Sequence, residues 1–287
     1  MKLSLGTVQL GLPYGINNTS GVPLDDEIKR IFTLANEAGI KVIDTAIAYG
    51  DAEKKIGLHS GGNFNIITKL PEFPEGEYSS SWLEGTLNAS LQRLQTSKLY
   101  GLLLHRPSQL LGKDGKRLIK DLQKLKDDGK VDNIGISIYE PSELEVIENI
   151  YELDIVQAPF SILDRRLVES GWLSKLSEAG VEVHARSVFL QGLLLVEASK
   201  RLQKFDPWNA VLSKYDQWLE NSGLTALQAC IRFVLSFNEI SNVVVGIDNA
   251  KHLEEIIVAS KGDSPFIPDD ISSNDIKLIN PLSWLDF

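Results

Sequence analysis

The feature that most limits how this 287-residue chain folds is a repeated alternation. Short apolar runs rich in Val, Ile and Leu are each followed by a longer, charged, amphipathic stretch. The runs read as eight strands: Leu3–Gln9, Lys41–Thr45, Asn65–Lys69, Gly101–His105, Asn133–Ser137, Ile155–Pro159, Glu182–Ser187 and Asn242–Gly246. Most are apolar on both faces, as parallel strands covered on both sides must be. The stretches between them carry helical spacing. Asp25–Ala38 puts Ile28, Ile31, Phe32 and Ala35 on one face, and Trp82–Leu94, Arg117–Asp128, Glu140–Asn149 and Leu224–Ser236 read the same way. Ser142 with Glu145 three residues on has the form of a capping box. Gly39, Gly129 and Gly180 follow helical stretches, where a left-handed C-cap favours glycine.

Eight β-then-α units without a composition break predict an α/β chain, a (β/α)8 TIM barrel forming a single domain over residues 1–287. The rival is a doubly wound open sheet. Against it, no Gly-x-Gly-x-x-Gly follows the first strand, and eight regular units are many for an open sheet. The residues from about 262 onward, with Pro265, Pro268, Pro281 and Trp284, read as an ordered tail rather than a ninth unit.

Composition removes several function classes. The chain has 29 Lys and Arg against 39 Asp and Glu, a net charge of −10, which repels a phosphate backbone and argues against nucleic-acid binding. Cys230 is the one cysteine, so no disulfide forms within the chain, and its apolar helix face with Leu227, Ile231 and Val234 makes it a core residue. The segment Met1–Gly6 lacks the apolar core of a signal peptide, and no apolar run is long enough for a membrane span. A cytoplasmic protein is expected. No His/Cys/Asp cluster has metal-ligand spacing, and neither a Gly-x-Ser-x-Gly motif nor a phosphate loop is present.

In a barrel of this kind, chemistry sits at the C-terminal ends of the strands. Asp44 ends the second predicted strand, Lys69 the third and His105 the fourth, with Tyr49 in the loop after the second. A phenol is too weak an acid to donate efficiently at neutral pH. A nearby Lys ammonium is expected to lower its pKa, with an Asp holding that ammonium in place. A neutral His can orient a carbonyl. Together these groups would polarise a carbonyl and protonate it while a hydride arrives from a cofactor, since no side chain supplies one.

The stretch Asp44-Thr45-Ala46-Ile47-Ala48-Tyr49-Gly50, with Glu53 and Gly57, resembles the signature of the aldo-keto reductase superfamily. Leu5-Gly6-Thr7, Thr68-Lys69, Leu103-Leu104-His105, Gly135-Ile136-Ser137, Val156-Gln157, Ala185-Arg186-Ser187 and Val245-Gly246 match its later landmarks in order, over roughly residues 3 to 260. The resemblance implies a catalytic tetrad of Asp44, Tyr49, Lys69 and His105, with Tyr49 as general acid. It implies an extended nicotinamide cofactor bound without a Rossmann fold. Thr7 belongs to the cofactor set; Ser137 and Gln157 would hold the carboxamide, and Arg186 would stack on the ring. Ser187, Phe189 and Gln191 would line the pyrophosphate. Gly246, Ile247, Asp248, Asn249 and Glu255 would surround the adenosine end.

Three positions depart from the family pattern. Ile138 follows Ser137 where many members have Asn, and Ile256 follows Glu255 where Asn is common. After the eighth strand, where many members carry Lys or Arg for a 2′-phosphate, this chain reads Gly246-Ile247-Asp248-Asn249-Ala250-Lys251-His252. Asp248 would repel that phosphate; Lys251 or a protonated His252 would attract it. NADPH is the expected cofactor, with NADH the alternative.

Other residues have plainer expected roles. Glu53 caps or pairs locally, Arg106 forms a loop ion pair, Asp164-Arg165-Arg166 makes a loop salt bridge, His184 is structural and His59 is exposed. Tyr14, Phe73 and Phe160 lie near the expected rim, and Trp284 and Phe287 lie in a tail that in this family can fold over the substrate mouth. The expected activity is NAD(P)H-dependent reduction of a small-molecule aldehyde or ketone, a sugar-like carbonyl included, by a monomer. One alternative is a weakly catalytic cofactor-sensing or partner-binding protein on the same fold. A barrel lyase using Lys69 as a Schiff base is another, disfavoured because a lysine paired with Asp44 keeps its charge.

Overall fold

The computed structural model describes residues 1–16, 18, 21–73 and 78–285, without the side chain of Leu285. Eight parallel strands close into a barrel: β1 Leu3–Gly6, β2 Val42–Asp44, β3 Asn65–Leu70, β4 Leu99–Leu104, β5 Val131–Ser137, β6 Ile155–Pro159, β7 Glu182–Arg186 and β8 Ile240–Gly246. Each strand pairs with the next and β8 returns to β1, so the expected (β/α)8 TIM barrel is the observed fold. β1 stops three residues before its expected end. Thr7 turns the chain there, its N–H and its Oγ1 both donating to the Asp44 carbonyl oxygen at 3.1 and 2.9 Å.

The first helices in chain order are α1 Val8–Gly11, α2 Asp25–Glu37, α3 Ala52–His59, α4 Ser80–Leu94, α5 Gly115–Asp127 and α6 Ser142–Ile147. They continue with α7 Arg166–Glu169, α8 Trp172–Glu178, α9 Asn209–Ser222, α10 Ala226–Leu235, α11 Ala250–Ala259 and α12 Ile276–Ile279. α2 buries Ile28, Ile31, Phe32 and Ala35, and Asp25, Asp26 and Glu27 in its first turn complement the helix dipole. The Ser79 hydroxyl caps α4 by accepting from the Trp82 N–H. Gly39, Gly129 and Gly180 all have positive φ, as C-cap positions require. The box expected at Ser142 does not form. The helix starts one residue earlier, with Pro141 as N-cap, and the Glu143 carboxylate accepts from the N–H groups of Tyr139 and Glu140.

Inside the barrel, Val42, Ile67, Leu103 and Ile155 form one apolar layer. A polar chain also crosses the strands: Ser4 donates to Asn242, Asn242 meets His184, His184 meets Glu182, and Tyr100 donates to Glu182. His184 is fully buried there, a structural group as expected. His59 is not exposed: its side chain is tucked against Asp25 at 3.4 Å, because α2 and α3 pack side by side. Arg166 pairs with Asp164, as the loop reading expected, while Arg165 pairs with Asp269 and donates to the carbonyls of Pro268 and Ile271. That second arginine therefore ties the segment after Gly262 to the barrel. The same segment buries Ile267, Ile271, Leu278, Ile279 and Trp284.

Glu53 is the most heavily engaged buried acid outside the strand ends. It accepts from Thr68 Oγ1 at 2.7 Å, Ser90 Oγ at 2.6 Å and Arg93 Nε at 2.8 Å, joining α3, β3 and α4. Beside it, a Cβ on Gly57 would lie 2.2 Å from the Arg93 carbonyl oxygen, so the two helices meet backbone to backbone. Removing one partner of such a pair strands the rest of the cluster without water. Glu53→Ala is expected to cost about 3–5 kcal/mol of stability in urea unfolding.

Candidate active site

A cavity of about 840 Å³ opens at the C-terminal ends of the strands. Asp44, Tyr49 and His105 line it, with Thr7, Ser137, Gln157, Arg186, Ser187, Phe189 and Gln191 from other strand ends and loops. Gly246, Asp248 and Glu255 line its β8 side. Three expected residues do not line it: Lys69, which lies beneath Asp44, and Ile247 and Asn249. Strand alternation continues past β8, so Ile247 turns into the core between Gly246 and Asp248, and Asn249 caps α11 by accepting from the His252 N–H.

Lys69 lies buried beneath Asp44. Its ammonium donates to Asp44 Oδ1 and Oδ2, both at 2.7 Å, and to the Thr45 carbonyl at 3.0 Å, which uses all three protons. Gln157 Nε2 adds a bond to Asp44 Oδ1 at 2.6 Å from across the barrel, and Gln157 Oε1 accepts from Ser137 Oγ at 3.4 Å. Burial pushes the Lys69 pKa down while Asp44 pulls it back up. The Lys69 nitrogen sits 5.5 Å from the Tyr49 ring centre, and the Tyr49 and His105 rings meet edge to face at 5.9 Å.

Backbone packing sets the position of Tyr49. A Cβ on Gly11 would fall 1.7 Å from the Tyr49 carbonyl oxygen, so α1 and the tyrosine loop touch in a way only glycine permits. Gly50, with φ of 54°, completes the turn.

The charges differ from the sequence expectation at one point. The Tyr49 pKa is raised rather than lowered. Burial raises it, the Asp44 carboxylate raises it further, and Arg186 is the cation that opposes them. Burial is the larger cause: a phenolate there would lose its hydration and stand beside a carboxylate. Tyr49 is therefore protonated at neutral pH. His105 is held neutral, its pKa lowered to about 4 by burial first and by Lys69 next. The cavity thus presents two uncharged hydrogen-bonding groups above a buried ion pair, an arrangement suited to gripping a carbonyl oxygen.

Several lining residues escaped the sequence reading. Tyr139 lies two residues beyond Ser137, a strand-alternation signal for the same side. Arg106 forms no ion pair among the described residues; its guanidinium lies 5.1 Å from the Tyr139 ring centre and Arg186 lies 4.6 Å from it. Arg186 also donates to Ser187 Oγ and the Ile138 carbonyl. Tyr14, near the rim as expected, accepts from Gln191 Nε2 at 2.7 Å, linking the loops after β1 and β7. From the tail, Asn280, Pro281 and Leu282 reach the rim. Trp284 instead packs on Phe205 at 4.9 Å, Phe160 lies in the core, Phe73 packs on Tyr78, and Phe287 lies outside the described residues.

A parallel barrel with this cluster at its strand ends defines an enzyme class, and comparison supplies the family. The chain belongs to the aldo/keto reductase family, whose sequence model matches residues 2–278. It is an oxidoreductase of the carbonyl-acting kind. An aldo-keto reductase of Mycobacterium sp. (strain KMS) is 28% identical over 231 residues, 77% of this chain and 73% of that protein. L-galactose dehydrogenase of Arabidopsis thaliana is 24% identical over 262 residues, 85% and 81% of the two chains. Among solved structures, the holo form of aldo-keto reductase AKR11C1 from Bacillus halodurans has a TM-score of 0.71 at 21% identity, covering 94% of this chain and 89% of that one. That last likeness concerns the fold.

The depressed His105 pKa links stability to pH. The unfolded chain takes up a proton near the ordinary value of 6.5, whereas the folded one resists until about 4. Stability from this group is complete above the first value and is lost as pH falls to the second. In urea titrations across that window, His105→Gln is expected to lose stability less steeply than the wild type.

Proposed function

We propose that this protein reduces a small aldehyde or ketone to an alcohol by direct hydride transfer from NAD(P)H, with a sugar-like carbonyl as the substrate class. The observation that carries this reading is the convergence of Tyr49 and His105 on one wall of the cavity above the fully hydrogen-bonded Lys69–Asp44 pair. The similarity to a sugar dehydrogenase supports the substrate class.

The cavity fits the cofactor by size and by chemistry. Its volume lies within the range of about 300–1,000 Å³ typical of small-molecule and cofactor sites. Ser137 and Gln157 each keep hydrogen-bonding capacity for a carboxamide, and the Arg186 guanidinium offers a flat surface for a ring. When bound, the reduced nicotinamide supplies two electrons and a proton as hydride to the carbonyl carbon.

The protein's own groups do the rest. Tyr49 O–H donates to the carbonyl oxygen, and neutral His105 bonds the same oxygen and fixes its direction. As the C=O π bond breaks, the oxygen becomes an alkoxide far more basic than a phenolate. The Tyr49 proton moves to it and gives the alcohol. Arg186, the cation that opposes the rise of the Tyr49 pKa, stabilises the phenolate until it is reprotonated. Lys69 as a Schiff-base nucleophile is disfavoured, because its three protons point at Asp44 and Thr45 and it lies beneath the cavity wall. The segment after Gly262 completes the site, with Asn280–Leu282 at its rim, and the chain acts as one domain.

Tyr49→Phe is expected to lower kcat by about 10²–10⁴-fold, the usual worth of a positioned proton donor. Cofactor affinity, followed by fluorescence titration, should stay within about twofold, since the phenol bonds substrate rather than cofactor. Full turnover by Tyr49→Phe in a screen of aldoses and simple aldehydes would remove Tyr49 from the mechanism.

A further inference from the structure

The arginines that line the cavity lie away from its β8 side. Arg106 and Arg186 gather at Tyr139. The lining acids of the β8 side are Asp248 and Glu255. Asp248 is half-buried. One of its oxygens accepts from Asn18 Nδ2 at 3.2 Å, which reaches over from the loop after β1, and the other lies 3.4 Å from His252 Nδ1. Lys251, the nearest lysine in sequence, is exposed and pairs with Glu255 at 3.8 Å.

A helix start normally offers free N–H groups to an anion. At α11 two of the first three are already taken, and the next makes the first bond within the helix. The Ala250 N–H donates to Glu27 Oε1 at 2.7 Å, the His252 N–H to Asn249 Oδ1 at 2.9 Å, and the Leu253 N–H to the Asn249 carbonyl at 3.3 Å. Glu27 comes from α2, 223 residues earlier, and its other oxygen pairs with exposed Arg30. An internal carboxylate thus occupies the place an external phosphate would use. Gln9 Oε1, buried on the same side, has no partner among the described residues and adds one more acceptor, with its amide nitrogen against Gly246.

Resting on the reading of this cavity as a nicotinamide dinucleotide site, we propose that its β8 side accepts an unphosphorylated adenosine ribose. NADH is then preferred over NADPH, and Asp248 is the discriminating residue. Ribose hydroxyls are donors, and the carboxylate of Asp248 accepts them. A 2′-phosphate brings only acceptors and negative charge to the carboxylates of Asp248 and Glu255, beside a helix start whose first N–H already serves Glu27. The family expectation of NADPH is reversed by this chain's own residues.

Tryptophan fluorescence titration with NADH and NADPH tests this on wild type, Asp248→Ser and Asp248→Ser/Glu27→Gln, with circular dichroism confirming the fold. The wild type is expected to bind NADH at least about tenfold more tightly. The ratio should shrink in Asp248→Ser and shrink further in the double variant. Competition by ADP-ribose against its 2′-phosphate, on wild type alone, should show the same preference without any substitution. Equal or tighter NADPH binding by the wild type overturns the proposal while leaving the dinucleotide site standing. An unchanged ratio in folded Asp248→Ser removes the role of Asp248. Binding of neither dinucleotide overturns the reductase reading itself, and the preference with it.

Discussion

The buried pair between Lys69 and Asp44 is the interaction on which the site depends. Burying two charges costs more than their attraction returns unless every remaining donor and acceptor is filled. Here the ammonium reaches two carboxylate oxygens and the Thr45 carbonyl, and Gln157 completes Asp44 from the sixth strand. Such satisfaction requires β2, β3 and β6 in one closed barrel. Closure of the sheet and the protonation states of the site are therefore one constraint. Burial beside the carboxylate leaves Tyr49 a neutral phenol, and burial beside the ammonium leaves His105 a neutral imidazole.

Around that pair, support comes both from groups outside the cavity and from the loops that line it. Gly11 lets α1 touch the tyrosine loop, and Glu53 binds Thr68, the neighbour of Lys69, to α4. The loop after β7 holds Ser187, Leu190 and Gln191 at positive φ. For residues other than glycine such backbone costs about 1–3 kcal/mol each and persists only where surrounding contacts enforce it. Gln191 shows one such contact: its side chain bonds Tyr14 and its carbonyl accepts from the Ile16 N–H. The strained loop and the loop after β1 are thereby joined across the cavity.

Much of this was legible in the sequence. Eight apolar runs and the amphipathic stretches between them fix the order of strands and helices, because backbone periodicity and burial are local patterns. Asp44, Lys69 and His105 each lie within one residue of a strand's end, and strand ends point to one rim of a parallel barrel. Strand alternation also assigns Gly246 and Asp248 to one side and Ile247 to the other, though the whole stretch was read as facing the cofactor. Residues whose roles hang on a partner from elsewhere differ from expectation: His59 on Asp25 and Arg106 on Tyr139.

The sequence by itself determined which groups stand at the strand ends and in what order. Only the tertiary structure decided their charge and their freedom to bind. Whether Tyr49 is acidified or held neutral depends on its burial and on its distances from Asp44 and Arg186, side chains of different strands. Whether the start of α11 can hold a phosphate depends on Glu27, a residue of the first long helix. Desolvation and Coulomb interactions act through space, so a chain read in order shows the groups but not the fields between them.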